Sequence, residues 1–163
     1  MNKKDTFITA IKANEGLIYK IAAVYTDNTE DRKDLVQEIV YHLWKSFESF
    51  NQKSSLSTWM YRVAMNVGIY HLKVAKRKVA TIPINGETIN FHEPENNDLE
   101  ERLKIFRQSV DKLNLLEKGI VMLYVENKSH QEIAEITGIS ITNVGTKISR
   151  IKDKLKRQLT KQQ

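Results

Sequence analysis

The residues best suited to chemistry stand near the C-terminus, and the chemistry is recognition. Thr142, Asn143, Thr146 and Lys147 open an expected helix that continues through Arg150, Lys152, Lys154, Lys156, Arg157 and Lys161 against one acid, Asp153. Asparagine can pair with adenine, and Lys or Arg with guanine or a phosphate, so the set suits reading and holding DNA. Catalytic patterns are missing. The four histidines (His42, His71, His92, His130) are scattered, with no His-x-x-x-His pair, no acidic cluster at metal spacing and no glycine-rich phosphate loop. With no cysteine, thiolate nucleophiles, Cys-ligated zinc and disulfides are excluded. The expectation is a protein with no enzymatic step, no metal and no cofactor.

A base-reading helix needs a partner to hold it, and the preceding residues supply one. Ser129-His130-Gln131-Glu132 predicts a capping box, and Ile133-Ala134-Glu135-Ile136 a short helix that stops at Gly138. Ser140 then caps the long basic helix, whose Val144, Ile148, Ile151 and Leu155 point inward. Small Ala134 where helices cross, Gly138 at the turn and Val144 as the plug make a helix-turn-helix. Such a motif lays its second helix in the major groove. Helices near residues 99–113 and 117–126 would complete a four-helix C-terminal domain.

The N-terminal half reads as a helical bundle. Apolar residues recur at Phe7, Ile8, Ile11, Ile18, Ile21, Ala22 and Tyr25, with an interruption at Gly16. Asn28 or Thr29 can cap a second helix with Leu35, Val36, Ile39, Val40, Leu43, Trp44 and Phe47 on one face. After a polar loop, Ser57 or Thr58 can cap a third, carrying Met60, Val63, Ala64, Val67 and Val74 and running into Lys73, Lys76, Arg77 and Lys78. Trp59 and Tyr61 could stack on bases, but aromatic residues at a helix start are more often core, and Trp59 is read as core.

Charge divides the chain as the helices do. The 163 residues carry net charge +6, with 40% hydrophobic and 28% charged residues, 6 glycines and 2 prolines, a composition that favours an all-α fold. Residues 1–78 hold 13 basic and 8 acidic side chains, and residues 98–163 hold 13 and 9. Residues 79–97 hold 3 acids, no base and both prolines, which reads as a flexible linker between two small domains, 1–78 and 98–163. Two basic units on a tether suit a long polyanion gripped at two places. The chain has no spanning apolar segment, and Met1-Asn2-Lys3-Lys4-Asp5 has no signal-like apolar run, so a cytoplasmic protein without membrane insertion is expected.

Three segments together resemble a known family. Asp34-Leu35-Val36-Gln37-Glu38, Ser57-Thr58-Trp59-Met60-Tyr61-Arg62-Val63-Ala64-Met65-Asn66, and Gly138-Ile139-Ser140 with its basic helix are similar to the extracytoplasmic-function (ECF) sigma factors of bacterial RNA polymerase. The resemblance covers nearly the whole chain. It implies that the first domain binds the β′ clamp helices of core polymerase and the −10 promoter element, and the last domain the β flap and the −35 element. Polymerase contacts would then fall on Asp34, Gln37 and Glu38. Contacts with the −10 element would fall on the loop residues Asn51, Gln52 and Lys53, with Arg62, Asn66, Lys73, Lys76 and Arg77 holding phosphates. Contacts with the −35 element would fall on Thr142, Asn143, Thr146, Lys147, Arg150 and Lys152. An anti-sigma factor, where one exists, would be a further partner. Two positions depart from the family's pattern: Gly68 weakens a helix often rich in arginine here, and Gly145 stands where lysine is common. The alternative reading is a two-domain helix-turn-helix regulator that binds DNA without polymerase.

Overall fold

Helices begin in this chain where a short polar side chain can accept an orphan backbone N–H. Asn2, Asn28, Asn114 and Ser129 each accept from the backbone three residues on and open α1 (Lys3–Ala13), α3 (Thr29–Ser46), α6 (Leu115–Val125) and α7 (His130–Thr137). Between these lie α2 (Glu15–Val24), α4 (Leu56–Thr81) and α5 (Asp98–Asp111), and α8 (Ile141–Lys161) closes the order. The structure, a computed structural model, describes residues 2–81 and 98–161, and contains no strand among them.

Several local expectations change in detail. The apolar stripe of the first helix breaks at Asn14, not Gly16, and Asn14 joins two separate helices. The third expected helix is capped by Ser55, whose Oγ accepts from Thr58 N–H at 3.2 Å, and not by Ser57 or Thr58. Ser129 makes only half of its expected capping box: Oγ accepts from Glu132 N–H at 3.1 Å, while the Glu132 carboxylate turns to Lys128 at 3.8 Å. The complete box is at Asn114 and Glu117. Asn127, at φ 60°, ends α6 in the left-handed conformation, and Lys128 N–H reaches the Leu123 carbonyl at 3.0 Å, the pattern of a Schellman motif. α4 runs to Thr81, so the expected linker of 79–97 begins inside a helix, and its remainder, 82–97, lies outside the described residues.

The first bundle packs α3 along α4, with α2 against both. Leu35, Ile39 and Leu43 meet Ile18, Ile21, Met60 and Ala64 in a core where each is essentially sealed from water. The aromatic residues extend that core sideways. Phe7 stands edge-on to Trp44 and Phe47, with ring centroids 5.0 and 5.3 Å apart, and Trp59 packs against Phe50 at 5.2 Å. Trp59 therefore packs, partly buried, against the core, as expected of an aromatic residue at a helix start. Ile8 and Trp44, expected inside, are exposed along an apolar groove between α1 and α3.

The second bundle rests on its helix-turn-helix. Gly138 adopts φ 82°, a left-handed turn that L side chains rarely adopt, and its N–H bonds the Ala134 carbonyl at 2.8 Å. Ile133, Ile136, Val144, Ile148 and Ile151 are buried between α7 and α8, with Leu155 partly covered. Lys154 reaches back to Glu117, both carboxylate oxygens lying within 3.1 Å, and ties α8 to α6.

Candidate nucleic-acid interface

The first turn of α8 is fixed by its cap and leaves its polar edge open. Ser140 Oγ accepts from Asn143 N–H at 3.1 Å, and the Ser140 carbonyl accepts from Val144 N–H at 2.9 Å, fixing the first turn of α8. Val144 is fully buried beneath that turn, while Thr142, Asn143 and Thr146 are exposed and Lys147 is half-buried. At ~100° per residue, Asn143 and Lys147 share one face and can reach neighbouring base pairs. Arg150 and Lys152 lie further along, exposed. Lys152 rests its ammonium 4.6 Å over the Tyr124 ring.

A second basic face runs along α4. Arg62, Asn66, Lys73, Lys76 and Arg77 are all exposed. Taken at ~100° per residue, their positions fall within about 100° of arc, so they form one stripe along the helix. The loop ahead of α4 is shaped by its own side chains. Asn51 Oδ1 accepts from Lys53 N–H at 3.2 Å, and Gln52 takes φ 61°, so a compact turn presents Asn51, Gln52 and Lys53 to solvent. The packed Phe50–Trp59 pair supports that turn from below.

Asp34, Gln37 and Glu38 are exposed on α3. Gln37 joins Lys4, Phe7, Ile8, Val36, Val40, Tyr41 and Trp44 in lining the open groove between α1 and α3. Glu38 meets His71 Nδ1 at 3.3 Å, tying this face to α4.

Tyr61, which could stack on a base or join the core, is buried, and desolvation followed by the Glu126 charge raises its pKa, with Lys20 opposing. Arg62 is turned toward the other domain, where Nε donates to the Glu135 carbonyl at 3.0 Å and Nη2 donates to the same oxygen. Residues that sequence reasoning missed cluster nearby. Tyr25 is buried with its pKa pushed up by desolvation, its hydroxyl donates to the Leu115 carbonyl at 2.9 Å, and its ring fills the space beside Gly68. The one available signal was Gly68 itself, an expensive residue in a helix interior.

Two helical bundles, one with a basic helix behind a polar loop and the other with a helix-turn-helix, are the architecture of a nucleic-acid-binding protein. The comparisons narrow it. The pattern described as sigma-70 region 2 matches residues 10–78, and that described as sigma-70, region 4, matches residues 103–155. RNA polymerase sigma factor SigV of Bacillus subtilis is 29% identical over 99% of this chain and 98% of its own. Sigma factor YlaC of the same organism is 30% identical over 83% of this chain and 82% of its own. Among solved structures, the sigma factor RpoE in complex with the anti-sigma factor NepR from Bartonella quintana shares the fold at a TM-score of 0.68, with 20% identity over 96% of both chains. The chain belongs to the ECF sigma factors of RNA polymerase, with core polymerase and promoter DNA as its partners. Among the described residues no helix is long and apolar enough to cross a membrane.

Proposed function

We propose that this sigma factor directs initiation through three separate faces. The α3 face of Asp34, Gln37 and Glu38 docks on the β′ clamp helices of core polymerase. The loop of Asn51, Gln52 and Lys53 receives a base flipped from the non-template strand of the −10 element, while the α4 stripe holds the phosphates around it. Exposed polar side chains on a preformed turn suit a base whose stacking has been broken. The N-terminal turn of α8 reads the −35 element through Thr142, Asn143, Thr146 and Lys147, with Arg150 and Lys152 on the backbone. The second domain also meets the β flap. The chain performs no catalytic step of its own and acts in the cytoplasm, beside polymerase and DNA. An anti-sigma factor covering these faces would hold it inactive.

The observation that carries the reading is the separation of two exposed polar reading surfaces, one on the loop before α4 and one on α8, each on its own packed bundle. Run-off transcription with core polymerase, on promoters randomised across both elements, tests it. Changing Asn51, Gln52 and Lys53 to alanine should alter base preference at the −10 element and leave −35 preference unchanged. Unaltered −10 preference would overturn the loop assignment.

A further inference from the structure

The exposed face of α4 carries one side chain that its proposed task does not use. From residue 62 to residue 77 the helix has no acid, and its exposed positions are Arg62, Asn66, Tyr70, Lys73, Lys76 and Arg77. Ala64, Met65 and Gly68 are buried, which fixes the rotation of the helix and sends Tyr70 outward. Tyr70 is 69% exposed, more than any other large apolar side chain among the described residues. Taken at ~100° per residue, it lies about 20° beyond Arg77 at the border of the basic stripe, one turn after Asn66 and one turn before Lys73. Among the described residues no ring packs on Tyr70 and no cation stands over it. Nor, among them, is Lys73, Lys76 or Arg77 ion-paired. A single exposed ring is ordinary on a protein surface. A ring flanked by unpaired cations is drawn with them against the polyanion that they bind.

We propose that Tyr70 is a specificity-determining residue, whose ring meets the C5-methyl group of a thymine in the paired DNA just upstream of the −10 element. This rests on the proposed role of the α4 stripe at that element, which it deepens. Tyr70 stands about 21 Å along the helix from Leu56, where the base-receiving loop ends, at ~1.5 Å per residue. That length is about six base pairs at ~3.4 Å each. The chain continues from α4 toward the domain proposed for the −35 element, so the far end of the stripe points upstream, where the duplex stays closed. In closed DNA the base faces are stacked on one another, out of reach of a ring. The major groove admits an α-helix, and the apolar group that it offers is the thymine methyl. Lys73, Lys76 and Arg77 on neighbouring phosphates hold the ring in register with it.

The test uses the full chain bound to core polymerase, on a promoter pool randomised also between the two elements. Promoters recovered with the parent should be enriched in thymine at one position upstream of the −10 element, and those recovered with Tyr70→Ala should not. Replacing that thymine by deoxyuridine removes the methyl and keeps the base pair. It should weaken open-complex formation by the parent about fourfold, the worth of one buried methyl. Tyr70→Ala should lose the same amount on the thymine promoter and nothing more on the deoxyuridine promoter. Tyr70→Phe should keep the thymine preference, because the ring is unchanged. Lys73→Ala should lower the slope of log affinity against log salt by about one, and Tyr70→Ala should leave it as it is. A parent that treats thymine and deoxyuridine alike, with the Lys73→Ala slope lowered, would overturn the Tyr70 contact and leave the stripe standing. A Lys73→Ala slope equal to the parent's would remove the stripe from DNA, and the Tyr70 contact with it. Equal losses for Tyr70→Ala on the two promoters would make the ring a stacking surface and overturn the methyl contact.

Discussion

The helix-turn-helix core and the interdomain seam are both contacts of helix on helix, yet the seam adds polar bonds that the core lacks. Between α7 and α8 the contact is a stripe of Ile133, Ile136, Val144, Ile148 and Ile151, all nearly dry. Across the seam, Met65 and Tyr25 close on Gly119 within a buried cluster shared by both bundles, and a tyrosine hydroxyl, an ion pair, Lys128 over the Tyr61 ring and an arginine on a carbonyl add polar contacts. The first is bound by the hydrophobic effect, which is cooperative and hard to reverse locally. The second adds directional polar bonds, each of which exchanges with water at little net cost. A domain that must hold a helix at a fixed angle needs the former.

The comparison breaks most severely at Val144. Val144→Asp would bury a carboxylate with no partner under α8, costing about 4 kcal/mol or more. Thermal unfolding followed by circular dichroism should show loss of the second domain, and DNA binding should fail with it. A domain that stays folded would mean that α8 can slide to expose the acid.

Asn143→Ala tests reading without disturbing packing, since Asn143 is exposed and its backbone N–H, not its side chain, meets Ser140. We expect a loss of about 1–3 kcal/mol on the preferred −35 sequence and relaxed selectivity at one position. Transcription from variant −35 elements by the mutant holoenzyme measures it. Equal loss on every sequence would move Asn143 to the phosphate backbone.

Gly68→Ala sharpens the contrast between local propensity and packing. Alanine gains about 1 kcal/mol of helix propensity over glycine. Its Cβ, however, would stand 2.6 Å from Cδ2 of a Tyr25 ring that is buried and anchored through its hydroxyl to the Leu115 carbonyl. Overpacking of this kind costs about 1–3 kcal/mol, so a net destabilisation near 1 kcal/mol is expected in urea titrations. A stabilised variant would show that the Tyr25 ring yields freely.

The smallest effect is at Lys152. Its loss removes an exposed contact with Tyr124 and, on the proposed reading, one phosphate contact. Lys152→Ala should weaken binding to all sequences alike, lower the slope of log affinity against log salt by about one, and change stability by less than about 1 kcal/mol. Sequence-dependent weakening would make it a base reader.

The sequence was most legible where a period or a cap repeats a rule. The helix-turn-helix followed from Ala134, Gly138, Ser140 and Val144, because a left-handed turn and a buried plug have few residue solutions. The breaks at Asn14 and the cap at Ser55 were misplaced by two residues, since several neighbouring polar side chains can each close a helix end. Exposure of the loop residues Asn51, Gln52 and Lys53 was legible from their polarity, but the turn that presents them was not. It depends on Gln52 accepting a positive φ, which the neighbouring Phe50–Trp59 packing stabilises.

What the sequence alone determined is everything carried by contacts close along the chain: the helical class, the two bundles, the basic helix behind its turn. Apolar periodicity fixes a face, and a cap fixes an end, whatever lies opposite. What only the tertiary structure decided is where Tyr25, Tyr61 and Arg62 go. Tyr25 lies 90 residues from Leu115, and Arg62 lies 73 residues from the carbonyl that it caps. A hydroxyl, a guanidinium or a glycine fits solvent, a core or a partner equally well by type. Only the approach of a second surface selects among them, because a directional bond exists when both ends arrive together.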